Sequence, residues 1–140
     1  MKLIIKLLLI FFINSISFAE ILKEFKVEGN KRISSKTIIL FSKVKINDDI
    51  NESNLNEIIK ELYSTNFFKD VKVSFSNQIL KITVKENPVI QSLIFNGIKK
   101  KNIISTLKSS VELKEKNPFL KNTVKSDETK IINILRSNGF

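Results

Sequence analysis

A chain of 140 residues with 24 Lys+Arg against 14 Asp+Glu carries a formal charge of +10, and it contains neither cysteine nor histidine. Their absence excludes disulfide staples and the usual thiolate and imidazole chemistry, both as metal ligands and as catalytic bases. Glycine occurs only three times, so a glycine-rich phosphate loop is excluded as well and no cofactor is expected.

The first 19 residues have Lys2 and Lys6 near their start, an apolar stretch from Leu7 to Ile13, and Ser17-Phe18-Ala19 before Glu20. That is the layout of a secretory signal peptide, with cleavage expected between Ala19 and Glu20. Asn14-Ser15 interrupts the apolar run well short of the ~20 residues that a membrane span needs. Removing Lys2 and Lys6 from the 24 cations leaves 22 against 14 acidic side chains, a charge of +8. A basic surface favours acidic partners such as phospholipid headgroups or nucleic acid. Export argues against the second.

Ile21 to Val27 reads as the opening strand, closed by the turn Gly29-Asn30. Ser34 then stands as a helix N-cap between Ile33 and Ile38, a hydrophobic staple, and predicts a helix over about Ser35 to Lys43. Asn51 is the next cap, followed by Leu55, Ile58, Ile59 and Leu62 at i, i+3, i+4, i+7, one apolar helical face. Asn66 ends that helix in a position that wants a left-handed residue. Val71, Val73 and Phe75 alternate with Lys72 and Ser74, and after the tight connection Ser76-Asn77-Gln78 the segment Ile79 to Lys85 alternates likewise. These two strands make a hairpin.

Glu86-Asn87-Pro88 is expected to be a short, stiff linker, because proline donates no N–H and biases Asn87 towards extended geometry. Beyond it Val89 to Phe95 runs apolar again, as a second opening strand, and stops at the turn Asn96-Gly97. Lys99-Lys100-Lys101-Asn102 leads into another helix-like run, Ile103-Ile104-Ser105-Thr106-Leu107.

These echoes are in register. Val27-Glu28-Gly29 lies over Phe95-Asn96-Gly97, and Leu62-Tyr63-Ser64-Thr65-Asn66-Phe67 over Leu135-Arg136-Ser137-Asn138-Gly139-Phe140, with a short insertion expected within Glu115 to Asn122. A tandem repeat follows. The expected class is α+β: β-α-α-β-β units, each a three-stranded sheet with two helices on one face, the second unit incomplete. The expected divisions are a signal peptide at 1–19, a first unit at 20–87 and a second at 88–140 that stops before its final hairpin.

With FKVEGNKRIS at the start, ELYSTNFFKDVKV at the end of the second helix and ITVKENPVIQSLIFNG at the seam, the chain resembles tandem POTRA domains of BamA-type outer-membrane β-barrel assembly factors. The resemblance covers essentially all of the chain after residue 19. Asn66 stands where that family usually has glycine, and Ile98 stands where the first copy has Asn30. The resemblance implies a fragment of a longer periplasmic protein that is anchored in the outer membrane by a C-terminal barrel. It further implies a non-enzymatic scaffold that binds unfolded outer-membrane proteins and accessory subunits by β-strand addition.

The residues themselves support no catalytic reading. Asp48-Asp49 and Asp127-Glu128 are carboxylate pairs placed where helices begin, which suits capping and helix-dipole roles. Ser105 and Lys108 share a helix without a strained turn. Phe67 and Phe68 read as core, and Lys99-Lys100-Lys101 as a solvated loop that can meet headgroup phosphates. The candidate strand-addition edge is Asp70, Val71, Lys72, Val73, Ser74 and Phe75, since a three-stranded sheet leaves two edges and lysine commonly guards an exposed one. Two other readings stand beside this: a POTRA module of a related secretion or translocation transporter, and a secreted basic binder of anionic polymers or lipid headgroups.

Overall fold

The computed structural model describes residues 20–140; the expected signal peptide, with Ala19 at its cleavage point, lies outside the described residues apart from Glu20. The elements are β1 (Glu20–Ile21), β2 (Glu24–Glu28), α1 (Ser35–Ser42), β3 (Asp49–Ile50), α2 (Glu52–Ser64), β4 (Phe68–Ser76), β5 (Ile79–Glu86), α3 (Lys101–Ser110), a 3-10 turn (Lys121–Thr123) and α4 (Val124–Ser137). Both expected caps form. Ser34 Oγ accepts from Thr37 N–H at 3.1 Å, and Asn51 and Asn54 exchange side-chain and backbone bonds in a capping box. Lys43 (φ 58°) and Asn66 (φ 61°) supply the left-handed residues that end α1 and α2.

The main sheet has the order β2-β5-β4, with β5 central, parallel to β2 and antiparallel to β4. Asn77 (φ 51°) and Gln78 (φ 64°) make the two-residue hairpin turn with both residues left-handed, the backbone that matches the right-handed twist of the flanking strands. The strands and helices enclose one core of Leu22, Ile38, Ile58, Leu62, Leu80 and Ile82, each at most 1% exposed, to which Ile50, Phe68, Val71 and Val84 add.

Two expectations about strands are corrected. The opening strand is split: Glu20–Ile21 leaves the main sheet to pair antiparallel with Asp49–Ile50, while Glu24–Glu28 pairs with β5. Buried Leu22 sits at the break and holds both sides of it, its N–H bonded to Asp48 O at 2.9 Å and its carbonyl to Asn47 N at 2.8 Å. Asp49 is therefore a strand residue rather than a helix-start charge. Nor does Val89 to Phe95 form a strand; it makes a single isolated bridge, Val89 to Pro118. The reason is visible in the first half, where β2 is held by β5. Among the described residues nothing stands beside this apolar segment as β5 stands beside β2, so it has no ladder to join.

Candidate functional site

β4 has β5 on one side and, among the described residues, no ladder on the other. Its side chains alternate: Val71 is buried and Val73 and Phe75 half-buried towards the helices, while Asp70, Lys72 and Ser74 are exposed. The backbone alternates independently, within the plane of the sheet. Val71 N–H donates to the Tyr63 hydroxyl at 3.2 Å, and a donor turned towards Tyr63 is turned away from β5. Alternation in an antiparallel ladder then directs the N–H and C=O of Val73 and Phe75 outward too, and those of Lys72 and Ser74 inward to Thr83 and Lys81. The free edge thus consists of the backbone of the apolar positions, with a hydroxyl covering its first donor.

A register shift between Phe68 and Asp70 marks a β-bulge with Lys69 as the extra residue. It turns Lys69 and Asp70 both outward between the buried Phe68 and Val71. Bulges bend an edge and interrupt pairing, so a continuous edge begins only at Val71. Sequence alternation could not reveal either device. Tyr63 was hidden because α2 had one evident apolar face, and this ring lies beside it.

The seam is tightly held. The Glu86 carboxylate is buried, its side chain 6% exposed, and Oε1 accepts from the N–H groups of Lys31, Arg32 and Ile33 at 2.8, 2.9 and 3.0 Å. Oε2 faces Arg32 Nε at 3.1 Å as an ion pair without an aligned hydrogen bond. Burial pushes the Glu86 pKa up, but the three N–H groups and the Arg32 charge outweigh it and leave the carboxyl below its ordinary value. Arg32 also donates to Asn87 O at 2.9 Å, and Asn87 bonds Phe67 O through its N–H and Asn66 O through its side chain. Asn30 Nδ2 closes the same loop on Ile33 O. Gly29 makes this approach possible: at φ 82° an added Cβ would lie 2.2 Å from Val84 O. A Cβ added to Gly97, at φ 86°, would meet no atom of the described residues within 4 Å beyond its chain neighbours. The space that β5 fills beside the first glycine is open beside the second.

Both the sequence and the fold have known relatives. No family model matches the sequence. The outer membrane protein assembly factor BamA of Neorickettsia risticii is 30% identical over 88 residues, 63% of this chain and 12% of its own. BamA of Neisseria meningitidis serogroup B is 38% identical over 78 residues, 56% of this chain and 10% of its own. Among solved structures, POTRA1-2 of the periplasmic domain of Omp85 from Anabaena superposes with a TM-score of 0.53 at 12% identity, covering 86% of this chain and 81% of that one. The chain is similar to BamA-type assembly factors over more than half of its length and has the fold of POTRA domains. It spans only about a tenth of the length of those two BamA relatives.

In the later half of the chain a second buried carboxylate repeats the logic of Glu86. Asp127 stands in the first turn of its own helix, where a helix-dipole role is expected, and also reaches back past the end of α3. It accepts from Glu112 N–H and Leu113 N–H at 2.9 Å and pairs with Lys130 at 3.3 Å. Burial raises its pKa, but the bonds from Glu112, Leu113 and Lys130 hold it below the usual range. Phe68 is core as expected. Phe67 stacks on Phe41 at 5.9 Å and also lines a cleft with Leu113, Pro118 and Leu120. Lys99, Lys100 and Lys101 lie exposed at the start of α3, where no side chain caps the helix and three cations oppose its positive end. Among the described residues no cluster of His, Cys, Asp or Glu is arranged to hold a metal ion.

Proposed function

We propose that this chain is the periplasmic, non-enzymatic scaffold region of a BamA-type assembly factor, exported by the signal peptide at 1–19 and built of POTRA units at 20–87 and 88–140. It receives unfolded outer-membrane proteins or accessory subunits by strand addition at β4. The observation that carries this reading is the outward-facing backbone of Val71, Val73 and Phe75 on an edge with no ladder partner among the described residues. Main-chain pairing reads little sequence, which suits a receptor for many clients. The name of the relatives, outer membrane protein assembly factor, agrees with it. Anionic headgroups would meet the exposed Lys99-Lys100-Lys101 as an auxiliary contact.

Two proline substitutions test the edge. Lys72→Pro removes a ladder bond to β5 and should unfold the first unit; Val73→Pro removes an outward donor and should leave it folded. The folded Val73→Pro chain should lose binding of an unfolded outer-membrane-protein peptide by roughly tenfold or more. Lys72→Ala, which keeps its backbone donor, should bind nearly as the parent does. Wild-type affinity in folded Val73→Pro, titrated at fixed salt, would remove β4 as the acceptor.

A further inference from the structure

β4 is one edge of the sheet; β2 is the other. β5 is its sole ladder partner among the described residues, so its far side also presents unpaired backbone groups. Beside that far side lies a shallow groove of about 380 Å³ between β2 and α1. Its floor is apolar: Phe25 from β2, Ile39 and Leu40 from α1, and Val44 and Ile46 from the loop that follows. Leu40 is 74% exposed and Ile46 46%. Apolar side chains this exposed, gathered in one concavity, mark an interaction surface more often than isolated ones do.

The rim is charged with one sign. Lys36, Lys43 and Lys45 border the groove, and no carboxylate does. Lys43 is engaged by Glu61 at 2.8 Å, whereas Lys36 and Lys45 have no ion-pair partner among the described residues. The acidic residues of β2 itself do not neutralise this rim. Strand alternation directs Glu24 and Glu28 to the opposite face from Phe25 and Val27, where Glu28 is bound by Lys26 at 3.3 Å and Lys81 at 2.9 Å.

We propose that this groove is a second binding site, independent of β4, for an extended partner segment that alternates apolar and acidic residues. The segment pairs its backbone with the free edge of β2, seats its apolar side chains on Phe25, Leu40 and Ile46, and brings its carboxylates to Lys36 and Lys45. A concave site that opens beside an unpaired strand, with Phe25 of that strand in its floor, offers hydrogen bonds that a flat lipid surface cannot use, which favours a peptide over a membrane. Apolar contact supplies the affinity and the lysines exclude basic segments.

The test uses the full chain with three probes: an acetylated ten-residue peptide alternating valine and glutamate, its valine-lysine counterpart, and phosphatidylglycerol vesicles. Amide chemical shifts should move on β2 and α1 with the glutamate peptide and not with the lysine peptide. Leu40→Asp, an exposed position whose change leaves the core untouched, should weaken binding roughly tenfold, and so should Lys36→Glu with Lys45→Glu. Circular dichroism of both variants checks that the fold persists. Shifts confined to β4, equal shifts on β2 and α1 with the lysine peptide, vesicle binding without peptide binding, or self-association that buries Leu40 would each overturn the proposal.

Discussion

At the scale of single residues, Glu86 shows how one side chain can organise a junction. The sequence marks its neighbourhood through Pro88 and Gly29, but nothing in the composition of Lys31-Arg32-Ile33 announces that three consecutive N–H groups will converge on one oxygen. The convergence depends on Gly29, which brings the loop against Val84, and on β5 extending through residue 86. Glu86→Gln keeps an acceptor but removes the charge that Arg32 and the N–H groups address, and should cost about 1.5–3 kcal/mol at neutral pH. The pH dependence follows from the sign of the shift. The folded pKa lies below the ordinary value of 4.5, so the carboxylate's contribution is fully present above 4.5 and is lost as pH falls through the folded value. The stability gap between parent and Glu86→Gln, from urea titrations, should hold steady down to about pH 5 and close below that. Asp127 titrates in the same acid range in both proteins and cancels in the difference. A gap that stays constant to pH 3 would mean that charge is not what the clamp uses.

At the scale of elements, the strongest periodicities were legible and the shortest pairings were not. α2 announced itself through Leu55, Ile58, Ile59 and Leu62 and through Asn51, and the hairpin through the alternation on both of its strands. The ladder between Glu20–Ile21 and Asp49–Ile50 is two residues long, too short to carry any period, and it divided a run that looked continuous. The Lys69 bulge adds one residue to β4 and shifts the face of everything before it, which a pattern read from Val71 onward never meets. Val89 to Phe95 has the composition of a strand, but composition supplies only one side of a ladder. The hairpin turn carries a prediction. Gln78 holds φ 64° without being glycine or asparagine, a conformation that costs an ordinary residue roughly 1 kcal/mol. Gln78→Gly should therefore raise stability by a few tenths of a kcal/mol, up to about 0.5 kcal/mol, the relief of strain narrowly exceeding the entropy that glycine adds to the unfolded chain. Its carbonyl, which accepts from Lys23 and Glu24, is unchanged. An unaltered or lower urea midpoint would show that the turn is not strained.

At the scale of the whole molecule, the repeat seen in sequence becomes an asymmetry in burial. Residues 20–87 bury a cluster of ten apolar side chains beneath a three-stranded sheet. Residues 88–140 bury Ile103, Leu107 and Val111 between two helices and one loop, and leave Ile94 71% exposed. Against α4 an apolar hollow of about 300 Å³ stays open between Leu93, Val111, Leu113, Val124, Ile131 and Ile132. In the first half the corresponding helical face is covered by β4 and β5, and the space beside Gly29 is filled by Val84; beside Gly97 it is empty. A unit of 60–70 residues already buries only about 60% of its unfolded surface, so one without its sheet has little to set against chain entropy. Opening of the second half should therefore occur without opening the first, through fluctuations that the Glu86 clamp does not feel because it closes wholly on residues 31–33 and 87. Native-state hydrogen exchange on the full chain resolves this. Amides of α2, β4 and β5 should exchange slowest, those of α3 and α4 orders of magnitude faster, and a peptide of residues 88–140 alone should lack a cooperative transition. Equal protection in both halves would mean that the two helices are stabilised by contacts across the seam, and that Glu86 and Asp127 belong to one cooperative unit.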